Sequence, residues 1–187
     1  MAGILKVDKY QDFNGNDIMT SDGAGNITLS SNMTTAVQSA GSTNTPAFFA
    51  HKTSSQTIND ATTTKVTWNT TVFDTHSAFA SDKFTVPSGQ GGKYLFTSFI
   101  HVYDASEVVA GINRSFRKNG SQVSSNDIAN TGGNMAVRNS ASSIILDLSA
   151  GDYIESYIYA NTTDNSNFVV YGEGQYYTYF YGYKIIE

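Results

Sequence analysis

The sequence predicts an all-β protein, and three observations carry the prediction. Charged residues make up only 14% of the 187 positions, while aromatics reach 13%, with 12 Tyr and 11 Phe. Aromatic and Thr-rich stretches suit a pleated, half-buried surface. Turn clusters bearing Gly and Asn recur between short apolar runs, the pattern of a sandwich or barrel. Only two Pro occur, and no stretch rich in Ala, Leu, Glu and Lys suggests a helix.

Three stretches differ in texture. Residues 1–31 hold the apolar runs Ile4-Leu5-Lys6-Val7, Ile18-Met19 and Ile27-Thr28-Leu29. Between them lie Asn14-Gly15-Asn16-Asp17 and Ser21-Asp22-Gly23-Ala24-Gly25-Asn26. Asn-Gly and Asp-Gly accept positive φ, so the segment reads as two hairpin-like pieces. They are too small to fold alone and need a partner surface or copies of themselves. Residues 32–45 are small and polar, a linker composition. Residues 46–187 read as the globular head.

Within the head, strands are expected at 46–51, 64–69, 71–79, 83–86, 92–103, 108–118, 121–127, 142–148, 152–160, 167–172 and 175–186. Turn clusters separate them, among them Lys118-Asn119-Gly120 and Ala150-Gly151-Asp152. The closing strand is aromatic on both alternate sets. One carries Tyr177, Tyr179, Tyr181, Tyr183 and Ile185; the other carries Tyr176, Thr178, Phe180 and Gly182. A lone sandwich wets one face of each sheet, and soluble monomers rarely expose large apolar patches. One face of this strand therefore packs the core, and the other packs against another copy in a closed cyclic assembly.

The net charge of −5 and pI of 5.0 give no cationic face for a nucleic acid. No stretch is long enough to span a membrane. Cysteine is absent, which removes disulfides and thiolate zinc sites. The N-terminus lacks the apolar core of a signal peptide, so synthesis in the cytoplasm is expected.

Residues 46–187 resemble the globular head of the complement component 1q and tumour necrosis factor superfamily. The likeness runs in order through Pro46-Ala47-Phe48-Phe49-Ala50, Val66-Thr67-Trp68-Asn69, Phe73-Asp74 and Phe84-Thr85-Val86-Pro87. It continues through Gly92-Lys93-Tyr94-Leu95-Phe96, Phe116-Arg117-Lys118-Asn119-Gly120, the segment from Ile144 to Ile154, and Phe180-Tyr181-Gly182-Tyr183. The resemblance implies a ten-stranded jelly-roll sandwich that forms a homotrimer. It places Phe84, Tyr94, Phe96, Leu146, Leu148 and Tyr183 in the core. It places Tyr176, Thr178, Phe180 and Gly182 at the trimer interface, with Phe180 on the threefold axis. No Gly-x-y stalk precedes the head, which argues against an animal complement role.

The phrase from Asn14 to Leu29 resembles short N-terminal stretches of bacteriophage fibre and virion proteins. The expected function is thus a phage structural protein (short tail fibre, head fibre or capsid decoration) made in the host cytoplasm and located in the virion. Residues 1–31 would dock on other virion proteins. The head would contact a host-surface glycan or stabilise the shell. A secreted or surface-bound bacterial binding module is the alternative reading, and a polysaccharide-degrading enzyme the third.

No catalytic set stands out. Asp74, His76 and Ser77 are neighbours in sequence, but triads are assembled from separated segments. His101 sits among aromatics in a strand. No cofactor is expected; calcium is the one metal that the oxygen-rich loops at 104–107 and 162–167 would suit. Tyr103, Asp104, Glu107 and Asn165 are the candidate ligand-loop residues, because Tyr and Asn side chains supply flat rings beside hydrogen-bonding groups.

Overall fold

The computed structural model describes residues 7–31, 33–34, 44–103, 109–129, 137–174 and 176–185. They belong to two compact units, residues 1–43 and 44–187. Most of the expected linker lies outside the described residues.

The first unit is a single antiparallel meander of β1 (Lys9–Gln11), β2 (Asp17–Ser21) and β3 (Ile27–Leu29), so the two expected hairpins share their middle strand. Its two turns are built alike. Asp12 accepts backbone hydrogen bonds from Asn14 and Asn16 and one from the Asn16 amide, each 2.9 Å. Asp22 does the same with Ala24, Asn26 and the Asn26 amide. Tyr10, Met19 and Leu29 stand opposite one another across the sheet, forming an apolar row on one face.

The second unit is a jelly roll of two seven-stranded sheets. The first sheet contains β4 (Ala47–His51), β5 (Gln56–Ile58), β7 (Thr70–Asp74), β10 (Gly92–Tyr103), β14 (Val137–Leu148), β16 (Phe168–Val170) and β17 (Tyr179–Lys184). The second contains β6 (Thr64–Lys65), β8 (Phe79–Ala80), β9 (Lys83–Thr85), β11 (Val109–Lys118), β12 (Ser121–Gln122), β13 (Asn126–Ala129) and β15 (Tyr153–Thr162). Strand β10 pairs along its whole length with β14; its other edge is shared by β17 and β16. Strand β11 is held between β15 on one edge and β12 and β13 on the other.

The inward-facing side chains form two apolar clusters. Phe48, Phe84, Tyr94, Phe96, Phe116, Leu148 and Phe180 build the first. Ile58, Val66, Ile100, Ile112, Ile158 and Phe168 belong to the second, and Trp68 packs against both. On three strands a polar residue marks the switch from one cluster to the other. On β10 it is Ser98, between Phe96 and Ile100; on β15 it is Ser156, between Ile154 and Ile158. Their hydroxyls share a 2.9 Å hydrogen bond across the sheets. On β11 the residue between Ile112 and Phe116 is Arg114, 1% exposed, which stands opposite Ile158.

Several elements differ from the sequence-based expectation. The run 71–79 is broken because the Asp74 carboxylate accepts backbone hydrogen bonds from Ala78 at 2.9 Å and Phe79 at 2.8 Å, closing a turn with Ser77 at φ +50°. Trp68 leaves the ladder because its backbone N–H donates to Asp82 at 2.6 Å. Strand β14 begins at Val137, five residues before the expected 142, and β5 was not expected at all. One junction is secured by a single side chain. The Asp152 carboxylate accepts from Asn119 Nδ2 at 2.7 Å, from Ser149 N–H at 2.8 Å and from Lys118 Nζ at 2.8 Å. It thereby ties the β11–β12 turn to the β14–β15 turn.

Candidate functional site

The outer face of the first sheet is the surface that the closing strand creates. Register fixes its rows. Thr97, Tyr181, Phe49 and Phe73 lie side by side across β10, β17, β4 and β7, with Ser143 of β14 beyond Thr97. The next row holds Ala141, Phe99, Tyr179 and His51; on the other side lie Ile145, Leu95, Tyr183 and Ala47. The rings are in contact. Phe99 stacks on Tyr179 at 5.2 Å, and Phe49 stacks on Tyr179 at 5.8 Å and on Tyr181 and Phe73 at 6.3 Å each. His101 extends the patch, touching Tyr171 at 5.2 Å and Tyr177 at 5.3 Å. Burial holds the His101 imidazole below its ordinary pKa, so it is neutral at neutral pH. Phe73 remains 48% exposed and Ile145 58% exposed.

The faces of the closing strand are the reverse of those the resemblance implied. Phe180 is fully buried in the jelly-roll core, against Phe48 at 4.9 Å, Trp68 at 5.6 Å, Phe116 at 5.8 Å and Phe79 at 5.9 Å. Gly182 also points inward, where the Phe96 ring fills the space that its side chain would take. Thr178 is fully buried. Its hydroxyl donates to the Tyr171 carbonyl at 2.6 Å and accepts from the His101 N–H at 3.2 Å. Tyr183, assigned to the core, lies on the outer face. Tyr176 precedes the strand and is 78% exposed.

The physical reason is the hydroxyl group. A Tyr ring on the outer face keeps its O–H in water, whereas Phe and Gly leave no polar atom to satisfy inside. The chemical split between Phe180 and its Tyr neighbours was the signal available in the sequence; alternation alone could not orient the strand.

Of the other positions, Phe84, Tyr94 and Phe96 are fully buried, Leu148 is nearly so, and Leu146 packs against the same cluster from a half-buried position. Burial pushes the Tyr94 phenol up to about 12. Tyr103 is 38% exposed and lies 6.1 Å from Tyr171. Asp104 and Glu107 lie outside the described residues. Asn165 occupies an exposed turn at φ +59°, where the neighbouring Asp164 carboxylate accepts the Ser166 N–H at 2.9 Å. Among the described residues no three His, Asp or Glu side chains converge to hold a metal. Asp74, His76 and Ser77 form the tight turn described above, with the Asp74 carboxylate directed to backbone N–H groups.

No protein-family model matches the chain, and no curated protein matches it. Solved structures do. Murine APRIL at pH 5.0 aligns over 74% of this chain and 98% of its own, at 17% identity and a TM-score of 0.54. Eiger TNF from S. frugiperda aligns over 74% of this chain and 91% of its own, at 13% identity and a TM-score of 0.53. The globular domain of the zebrafish complement 1qA protein aligns over 75% of this chain and 97% of its own, at 17% identity and a TM-score of 0.48. At such identities the likeness concerns the fold, and the head has the jelly roll shared by APRIL and Eiger.

Proposed function

We propose that the chain is a bacteriophage virion structural protein, a short fibre or capsid decoration, whose head assembles as a homotrimer. The observation that carries the assembly is the uncharged aromatic field of Phe49, Phe73, Phe99, Tyr179 and Tyr181, several rings wide and partly open to solvent. A patch of this kind favours burial against a like surface. The occupant is two further copies of the chain, whose like faces meet around a threefold axis in a ring that closes on itself. Three linked heads then multiply a weak contact with a host surface by avidity.

The N-terminal meander supports the virion half of the reading. It is a three-stranded sheet with an apolar row and no buried side chain among its described residues, the form of a segment that docks elsewhere. The role is tested on two levels. Light scattering on the full chain should give three times the 20.2 kDa of one subunit; a stable monomer at micromolar concentration overturns the assembly. Antibody labelling of the phage particle should decorate tail or capsid, and an unlabelled particle overturns the virion role.

A further inference from the structure

The second sheet carries a groove on its outer surface, on the opposite side of the sandwich from the aromatic field. Its volume is about 280 Å³, and it is lined by Gly111, Ile112, Asn113, Asp127, Ile128, Tyr159 and Asn161. Register explains why these residues meet. Asn113 of β11 stands opposite Asp127 of β13 and Tyr159 of β15, and Gly111 stands opposite Asn161. The ladder slips between Val109 and Gly111, a bulge that re-aims the following side chains.

Each part has a distinct effect. Gly111 leaves the floor open: a Cβ there would lie 2.9 Å from Asn161 Oδ1, so any side chain would displace that amide. The Asn113 amide nitrogen donates to the Ser125 hydroxyl at 2.6 Å and to the Asp127 carboxylate, which fixes the amide plane along one wall. Tyr159 and Asn161 form the other wall.

We propose that this groove binds a single neutral sugar residue of a surface polysaccharide, with the Tyr159 ring against its C–H face and the Asn113, Asp127 and Asn161 side chains on its hydroxyls. The proposal deepens the attachment reading, on which it rests for its biological setting. Hydroxyls both donate and accept; the Asn113 carbonyl and the Asp127 carboxylate accept, and the Asn161 amide donates and accepts, which gives the matching mixture. Among the described residues no Lys or Arg lines the groove, so an acidic sugar or a phosphate would meet Asp127 without a counter-charge from them. In the proposed trimer the field on the first sheet is covered, while three such grooves stay open to the outside.

The test is saturation-transfer NMR on the full chain with a panel of neutral hexoses, 6-deoxyhexoses and N-acetylhexosamines, with simple amines as controls. At least one neutral sugar should give signal. Gly111→Val and Tyr159→Ala should each weaken it roughly tenfold or more, about 1.4 kcal/mol or more. Val at 111 displaces only the end of the Asn161 side chain, so melting and elution should match wild type. The proposal fails if no neutral sugar binds at tens of millimolar, if only amines bind, or if both folded variants keep full affinity. Labelled virions with no sugar signal would sink the groove and leave the virion role standing; sugar binding lost in both variants on an unlabelled particle would do the reverse.

Discussion

Gly182 and Phe96 face each other across β17 and β10 so closely that a Cβ on Gly182 would stand 2.5 Å from Cδ1 of the Phe96 ring. The Leu95 carbonyl oxygen would be only 2.9 Å away on the same side. The ring covers the glycine and takes the room of the missing side chain. Gly182→Ala should therefore destabilise the head by about 3 kcal/mol, the upper part of the overpacking range. Urea unfolding monitored by circular dichroism measures it; a loss near zero means the ring moves freely.

Phe180 and Tyr181 are adjacent yet should respond in opposite ways. Phe180→Ala empties the centre of the first apolar cluster and should cost about 3–5 kcal/mol of subunit stability. Tyr181→Asp puts a charge into the outer aromatic field. It should split the assembly into folded monomers, with little change in far-ultraviolet circular dichroism. A Tyr181→Asp chain that elutes as wild type would move the contact surface elsewhere.

Arg114 is buried, and among the described residues it has one hydrogen bond, from Nη2 to Asn126 at 3.2 Å, with none from Nε or Nη1. It makes no ion pair among the described residues. Burial lowers its pKa to about 10, which still leaves it charged at neutral pH. A charge held this way opposes folding, so Arg114→Met should raise stability by about 1–3 kcal/mol. A lower melting temperature for the variant would show that the guanidinium has a partner in solution.

Lys52 gives the alkaline behaviour a sign. Its ammonium is buried, donating to the Thr67 carbonyl at 2.7 Å, and burial lowers its pKa from 10.5 to about 8. Below pH 8 both states are protonated, and the buried charge opposes folding in full. Between 8 and 10.5 the folded chain releases its proton first, so stability rises with pH. Tyr94, moved from 10.0 to about 12, then acts in reverse, because the unfolded chain ionises first and stability falls. Urea midpoints across this range should pass through a maximum, and Lys52→Met should remove the rising limb.

At acid pH the same logic applies to Asp152. Its hydrogen bonds with Lys118, Asn119 and Ser149 lower its pKa from 3.8 to about 2. The stability it contributes is complete above 3.8 and disappears as pH falls towards 2. Asp152→Asn should flatten that part of the acid limb, with a loss of about 2 kcal/mol at neutral pH for the charged bonds.

Strand β10 was legible because both alternate sets of its twelve residues are largely apolar or aromatic. The beginning of β14 was not, since Val137-Arg138-Asn139-Ser140-Ala141 shows no alternation and its pairing is imposed by β10. Three-residue β5 is too short to stand out against its polar flanks. The closing strand was legible as two-faced, but which face turned inward depended on Phe180 having no hydroxyl. The assembly of the groove was not legible. Gly111, Asp127 and Tyr159 are far apart in the chain and meet only through register across three strands.

Trp68, which packs against both apolar clusters, is the one tryptophan in the chain. Its indole is therefore a built-in optical reporter for both halves of the head. Should the halves loosen at different denaturant concentrations, its emission would shift in two steps, and no engineered dye would be needed to see them separate.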